Sequence, residues 1–241
     1  MKSIQDLRIH LYADGADLTR MSAMASYKPI AGFTLNPSLM RRLGVTDYEK
    51  WSRKAVEIAG EKPLSLEVLS DDFTEMKRQA LKIASWGENV YVKIPITNSQ
   101  GVSSLKLISE LATEGVKLNV TALLTTTQVM EAAERLVPAK AAILSVFAGR
   151  IADTGRDAAS MMKWCSDFLR AREARNIKLL WASTREVHNI IQADQARCDI
   201  ITVPPDILAK AEKLLGYDLE KLSLETVQMF AKDAKEAGYT L

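Results

Sequence analysis

Short, β-branched apolar runs recur along the chain, separated by longer stretches whose apolar residues return every three or four positions. The runs RIHLYA (8–13), IAGFT (30–34), PLSLEVL (63–69), NVYVKIP (89–95), KLNVTAL (117–123), AAILSVF (141–147), IKLLWAS (177–183) and DIITV (199–203) read as eight buried strands. Between them, 73–86, 102–115, 125–137 and 158–176 carry the apolar stripe of a helix lying on a sheet. This repetition predicts a parallel sheet, and eight units in 241 residues fit a closed (β/α)8 TIM barrel better than an open doubly wound sheet. No GxGxxG turn follows the first strand, where a dinucleotide-binding sheet would place one. Beyond the eighth strand, Leu222, Leu224, Val227, Phe230 and Ala231 fall roughly on one side of a further helix at about 219–237. That helix either caps the barrel or packs on a partner chain. Residues 1–241 are therefore expected to form one α/β barrel domain with an additional C-terminal helix.

Composition changes this picture little. With 47% apolar and 26% charged residues, the chain has the make-up of a soluble globular protein. Its net charge of +2 gives no electrostatic case for nucleic acid or for an acidic membrane surface. Two cysteines without CxxC spacing and two histidines argue against a disulfide scaffold or a Cys/His metal site, and fit a reducing cytoplasm. The start MKSIQDLRIHLYADGAD lacks the apolar core of a signal peptide, and no apolar run reaches the roughly 18 residues of a membrane span. Neither secretion nor membrane insertion is expected.

A barrel expectation directs attention to the C-terminal strand ends, where chemistry sits in this architecture. Those ends carry Asp14, Thr34 and Asn36, Glu67, Lys93, Asn119 and Thr121, Ser145 and Phe147, and Ser183 with Arg185. Turns favour Asn, Asp, Ser and Thr for local reasons, so no single one is diagnostic; polar groups from seven strands are harder to dismiss. Lys93 stands out because it interrupts NVYVKIPIT. Strand alternation puts Tyr91, Lys93 and Pro95 on one face and Val92, Ile94 and Ile96 on the other. The uniformly branched face suits the covering helices, which turns Lys93 into the barrel. Burial lowers a lysine's pKa and makes a neutral, nucleophilic amine available. Alternatively its stem packs while its head reaches a carboxylate at the rim. The residues alone leave both readings open.

At these positions the sequence resembles the transaldolase family of Schiff-base aldolases. The resemblance is carried by LYADGAD (11–17), AGFTLNPS (31–38), LSLEV (64–68), YVKIPITNSQG (91–101), LNVTALLTTTQ (118–128), SVFAGRIADTGRD (145–157), ASTRE (182–186) and ITVPPDIL (201–208), which cover nearly the whole chain in order. It implies that Lys93 forms an imine with a ketose phosphate and that a dihydroxyacetone unit passes to an aldose phosphate acceptor, with no metal or cofactor. By the same resemblance Asp14 is the base for the C4 hydroxyl, and Glu67 with Thr121 holds a water for proton shuttling. Asn36, Asn119 and Ser145 would bind donor hydroxyls, and Arg150, Ser183 and Arg185 the phosphate. Phosphorylated sugars are then the expected partners, with a homo-oligomer, dimer or larger ring, as the expected assembly.

Within the family, transaldolases carry Glu and Phe where fructose-6-phosphate aldolases carry Gln and Tyr. This chain has Glu67 and Phe147, which favours transfer over release of free dihydroxyacetone, because Phe147 has no phenol to assist enamine hydrolysis. Release of dihydroxyacetone is the alternative, and an idle barrel kept as a binding protein is a third reading. Two residues depart from the family's usual TTNPS and ASFR: Leu35 and Thr184. Trp181 is expected to face outward under a helix, His10 to be buried or at a strand edge, and His188 to sit at a helix start on the surface. Cys165 and Cys198 read as small packed apolar residues.

Overall fold

The computed structural model describes residues 3–15 and 17–240. After a short 3-10 turn at Ile4–Asp6, the chain runs through β1 (His10–Asp14), α1 (Leu18–Ala25), β2 (Ile30–Thr34), α2 (Pro37–Arg42), α3 (Tyr48–Ala59), β3 (Leu64–Glu67) and α4 (Phe73–Ala84). It continues through β4 (Val90–Pro95), α5 (Leu105–Thr113), β5 (Leu118–Leu123), α6 (Thr126–Arg135), β6 (Ala142–Val146), α7 (Ala148–Asp153) and α8 (Ala158–Ala171). Then come β7 (Ile177–Trp181), α9 (His188–Gln195), β8 (Ile200–Val203), α10 (Pro205–Leu214) and α11 (Leu219–Ala237). All eight strands pair in parallel, and β8 closes on β1, so the sheet is a (β/α)8 barrel, as its strand–helix repetition predicts.

Local chemistry fixes where the helices start. Asp17, Asn36, Asp47, Asp72, Thr125, Asp157 and Asp218 each accept a hydrogen bond from the amide three residues on, satisfying donors that a helix leaves unpaired. Alternation then sorts side chains into two layers. Val90, Val92 and Ile94 join the large apolar layer between sheet and helices, whereas Tyr91 packs inside the barrel with Tyr12, Ile143, Leu180 and Ile200. Gly32 makes room for that interior, since a Cβ there would lie 2.6 Å from the Tyr12 ring.

Trp181 is buried in the outer layer, as expected, while Cys165 and Cys198 are buried free thiols. His10, expected buried or at an edge, is the first residue of β1 and is exposed rather than buried. His188 starts α9 and is exposed. Helix α11 buries none of its side chains, and Leu219, Leu224, Val227, Met229 and Phe230 all face outward. Among the described residues, no helix is long and apolar enough to cross a membrane.

Candidate active site

Register builds the centre of the site. Glu67 on β3 pairs with Lys93 on β4, and Lys93 with Asn119 on β5, so the three point to the same side at one height. Lys93 is 6% exposed, and its Nζ lies 3.0 Å from Glu67 Oε2 and donates to the Leu35 carbonyl at 3.0 Å. Lys93 is thus buried inside the barrel and also meets a rim carboxylate. Tyr48, reaching in from α3, donates its hydroxyl to the Glu67 carbonyl at 2.7 Å and anchors that strand end.

The mouth above this pair is a cavity of about 670 Å³. It is lined by every candidate site residue read from the sequence except Asn119. Asn119 lies fully buried beneath the floor, donating to Ser65 Oγ at 3.0 Å and accepting from Ser145 Oγ at 2.7 Å. Thr121 faces the cavity, and its buried Oγ1 finds no protein hydrogen-bond partner among the described residues. Just beyond it, Ala122 takes a φ of 60° where the β5–β6 register slips, a bulge at the cavity wall. Asn36 uses Oδ1 to cap α2 at Leu39 N, 3.0 Å away, which assigns the cap to oxygen and leaves its amide nitrogen as a donor.

Asp14 ends β1 beside Thr34, whose hydroxyl donates to Asp14 Oδ1 at 2.9 Å. Desolvation pushes the Asp14 carboxyl above the usual range, and nearby Lys93 and the Thr34 hydrogen bond pull partly back. Across the mouth, the Arg150 guanidinium lies 5.3 Å above the Phe147 ring. Arg185 forks onto Asp153 through Nη2 at 2.6 Å and Nε at 3.1 Å, and this guanidinium holds the Asp153 carboxyl below its ordinary pKa. Ser183 takes a φ of 66° there, and its carbonyl is so close to Gly149 that a Cβ would lie 1.6 Å from it. Only glycine fits at 149.

Several contributors escaped sequence reasoning. Ser65 shares the inward alternation of Glu67, and Thr202 has the same relation to Ile200, so a strict reading of alternation had the signal for both. Tyr48, Arg42 and Asp153 arrive from helices and leave no such trace. The two departures separate cleanly: the Leu35 side chain turns into the outer apolar layer, while Thr184 is buried at the mouth and donates to the Thr202 carbonyl at 2.7 Å.

Fold and mouth together define a parallel (β/α)8 barrel with a buried lysine–carboxylate pair at the C-terminal strand ends. The family profile described as Transaldolase/Fructose-6-phosphate aldolase matches residues 11–241, and the chain belongs to that family. It is 32% identical over 217 residues to a "Probable transaldolase" of Roseiflexus castenholzii, covering 90% of this chain and 94% of the relative. A "Probable transaldolase" of Nitrosopumilus maritimus is 30% identical over 223 residues, covering 92% and 93%. Among solved structures, 2,3-dimethylmalate lyase superposes with a TM-score of 0.53 at 12% identity, covering 98% of this chain and 86% of that one, a likeness of fold alone.

Proposed function

We propose that the protein is a transaldolase that moves a dihydroxyacetone unit from a ketose phosphate to an aldose phosphate through an imine on Lys93. The observation that carries this reading is the Lys93 amine, buried at the cavity floor and 3.0 Å from Glu67. The Glu67 carboxylate accepts the ammonium proton, and the freed amine attacks the ketose carbonyl. Proton transfer from Glu67 expels water, and the Thr121 hydroxyl, which has no protein partner among the described residues, holds that water. Asp14 takes the proton of the C4 hydroxyl, the C3–C4 bond breaks, and its electron pair moves into the iminium to leave an enamine. The aldose phosphate departs, and the enamine carbon attacks an acceptor aldehyde before water hydrolyses the imine.

Asn36 and Ser145 line the cavity as hydroxyl partners, with Asn119 holding Ser145 from below. Arg150, Arg185 and the Ser183 hydroxyl supply the phosphate end. Phe147 brings no phenol to the enamine, which supports transfer over release. The exposed apolar side of α11 supports a homo-oligomeric assembly of these chains, and the reduced thiols suit the cytoplasm. Borohydride added during turnover of fructose 6-phosphate is expected to fix the three-carbon unit onto Lys93, read by peptide mass. An unmodified Lys93 would sink the imine. Dihydroxyacetone released equally fast with and without an acceptor aldehyde would assign the protein to the lyase branch.

A further inference from the structure

Asp14 does not hold its place alone. A line of buried hydroxyls runs to it across the seam where the barrel closes, through β8 and β2. Thr202 on β8 and Thr34 on β2 have their Oγ1 atoms 2.5 Å apart, and Thr34 donates on to Asp14 Oδ1 at 2.9 Å. Behind them, Thr184 donates to the Thr202 carbonyl at 2.7 Å and pins the end of β8. Thr184, Thr202 and Thr34 are 3%, 5% and 4% exposed at the cavity wall, so water has little access to these bonds.

The direction of the chain follows from proton counting. A hydroxyl carries one hydrogen, and an ionised carboxylate only accepts. When Asp14 is charged, Thr34 must spend its hydrogen on Asp14, and the Thr34–Thr202 bond can exist only if Thr202 donates. Thr202 thereby polarises Thr34 as a donor, and each bond strengthens the next in a low-dielectric setting. We propose that Thr202 is a positioning residue that, through Thr34, holds Asp14 in place and favours its carboxylate as the base for carbon–carbon cleavage. This rests on the transaldolase reading above. It also gives the departure at Thr184 a task, because the hydroxyl at that position fixes the strand from which Thr202 reaches.

The charged and titratable groups around Asp14 come from other elements than Thr202. Lys93 on β4 is the nearby cation, Thr34 and Thr202 are neutral hydroxyls on the flanking strands, and Tyr12 lies below on its own strand. Glu67 on β3, paired with Lys93, and Arg42 from α2, Arg150 from α7, Arg185 after β7 and Asp206 from α10 line the same cavity. All of these charged groups are unchanged in a Thr202→Val variant, which keeps the shape of the side chain and removes the hydroxyl.

The test is the pH profile of kcat/KM for ketose phosphate cleavage in wild type, Thr202→Val and Thr202→Ser. Thr202→Val is expected to move the acid limb to higher pH and lower kcat/KM about threefold on that limb, the size of losing one net hydrogen bond. KM is expected to hold, and Thr202→Ser to restore the wild-type limb. An acid limb that stays in place in Thr202→Val, or a loss uniform across pH that Thr202→Ser fails to rescue, overturns the proposal. Borohydride trapping of the same proteins separates the two levels. No adduct in wild type defeats the imine reading itself, whereas normal adducts with an unmoved limb defeat only the role of Thr202.

Discussion

The Lys93–Glu67 pair offers the sharpest energetic test, because its two readings differ by several kcal/mol. The charges are 3.0 Å apart, and the side chains are 8% and 16% exposed. At an effective dielectric near 20 that separation corresponds to about 5 kcal/mol of attraction. Residual exposure of Glu67 to the cavity and desolvation of both groups reduce the net, so a coupling of about 2–4 kcal/mol is expected. Lys93→Met, Glu67→Gln and the double variant form the cycle, read by denaturant unfolding at neutral pH. Lys93→Met alone should be the most destabilised, since it strands a buried carboxylate and removes the donor to the Leu35 carbonyl. The double variant should recover much of the loss, and both variants lacking the amine should be inert and form no borohydride adduct. A coupling below about 0.5 kcal/mol, the range of exposed ion pairs, would refute the reasoning that the pair is desolvated at the floor of the mouth. Turnover retained by Lys93→Met would refute the nucleophile.

Three further outcomes are expected. Asp153→Asn releases the Arg185 fork and removes a carboxylate from the phosphate end, so KM for a phosphorylated ketose should fall about threefold while that for the unphosphorylated sugar stays put; a rise in KM would mean that Asp153 orients Arg185. Burial raises the folded pKa of Asp14, so the folded state binds this proton more tightly than the unfolded chain does and the group costs stability above its folded pKa. Asp14→Asn should therefore be inactive yet melt higher at neutral pH, with the gain shrinking on acidification; a lower melting temperature at neutral pH would contradict that sign. Val227→Glu with Phe230→Glu places two charges on the exposed apolar side of α11, and sedimentation should show a smaller assembly with an unchanged circular dichroism spectrum. An unchanged mass would refute the proposed part of α11 in an assembly.

The barrel was legible because its signals are periodic. Branched strands and amphipathic stretches alternate, and the period of two placed Lys93 inside the barrel. Alternation says which face a side chain takes but not its depth, which is why Asn119 reads as a wall residue and lies beneath the floor. Long-range partners that come from helices or from backbone have no period at all. The Leu35 carbonyl under Lys93, the Tyr48 hydroxyl on the Glu67 carbonyl and the Asp153 carboxylate on Arg185 became visible only once the chain closed on itself.

The two departures from the family pattern make the same point at the scale of one side chain. Both sit in motifs at the mouth, and nothing in the sequence ranks one above the other. Leu35 directs its side chain into the layer under the helices and offers the site only its carbonyl, an atom any residue would supply, so substitution there changes packing and leaves the lysine's acceptor in place. Thr184 keeps its hydroxyl at the mouth and bonds it to the strand that carries Thr202. A phenylalanine at 184 would leave the Thr202 carbonyl without that donor and add a ring to a crowded wall. Thr184→Phe should consequently loosen Thr202 and move the acid limb in the same direction as Thr202→Val, while Leu35→Thr leaves the limb where it is. If both substitutions shift the limb alike, the hydroxyl chain is not the route by which β8 reaches Asp14.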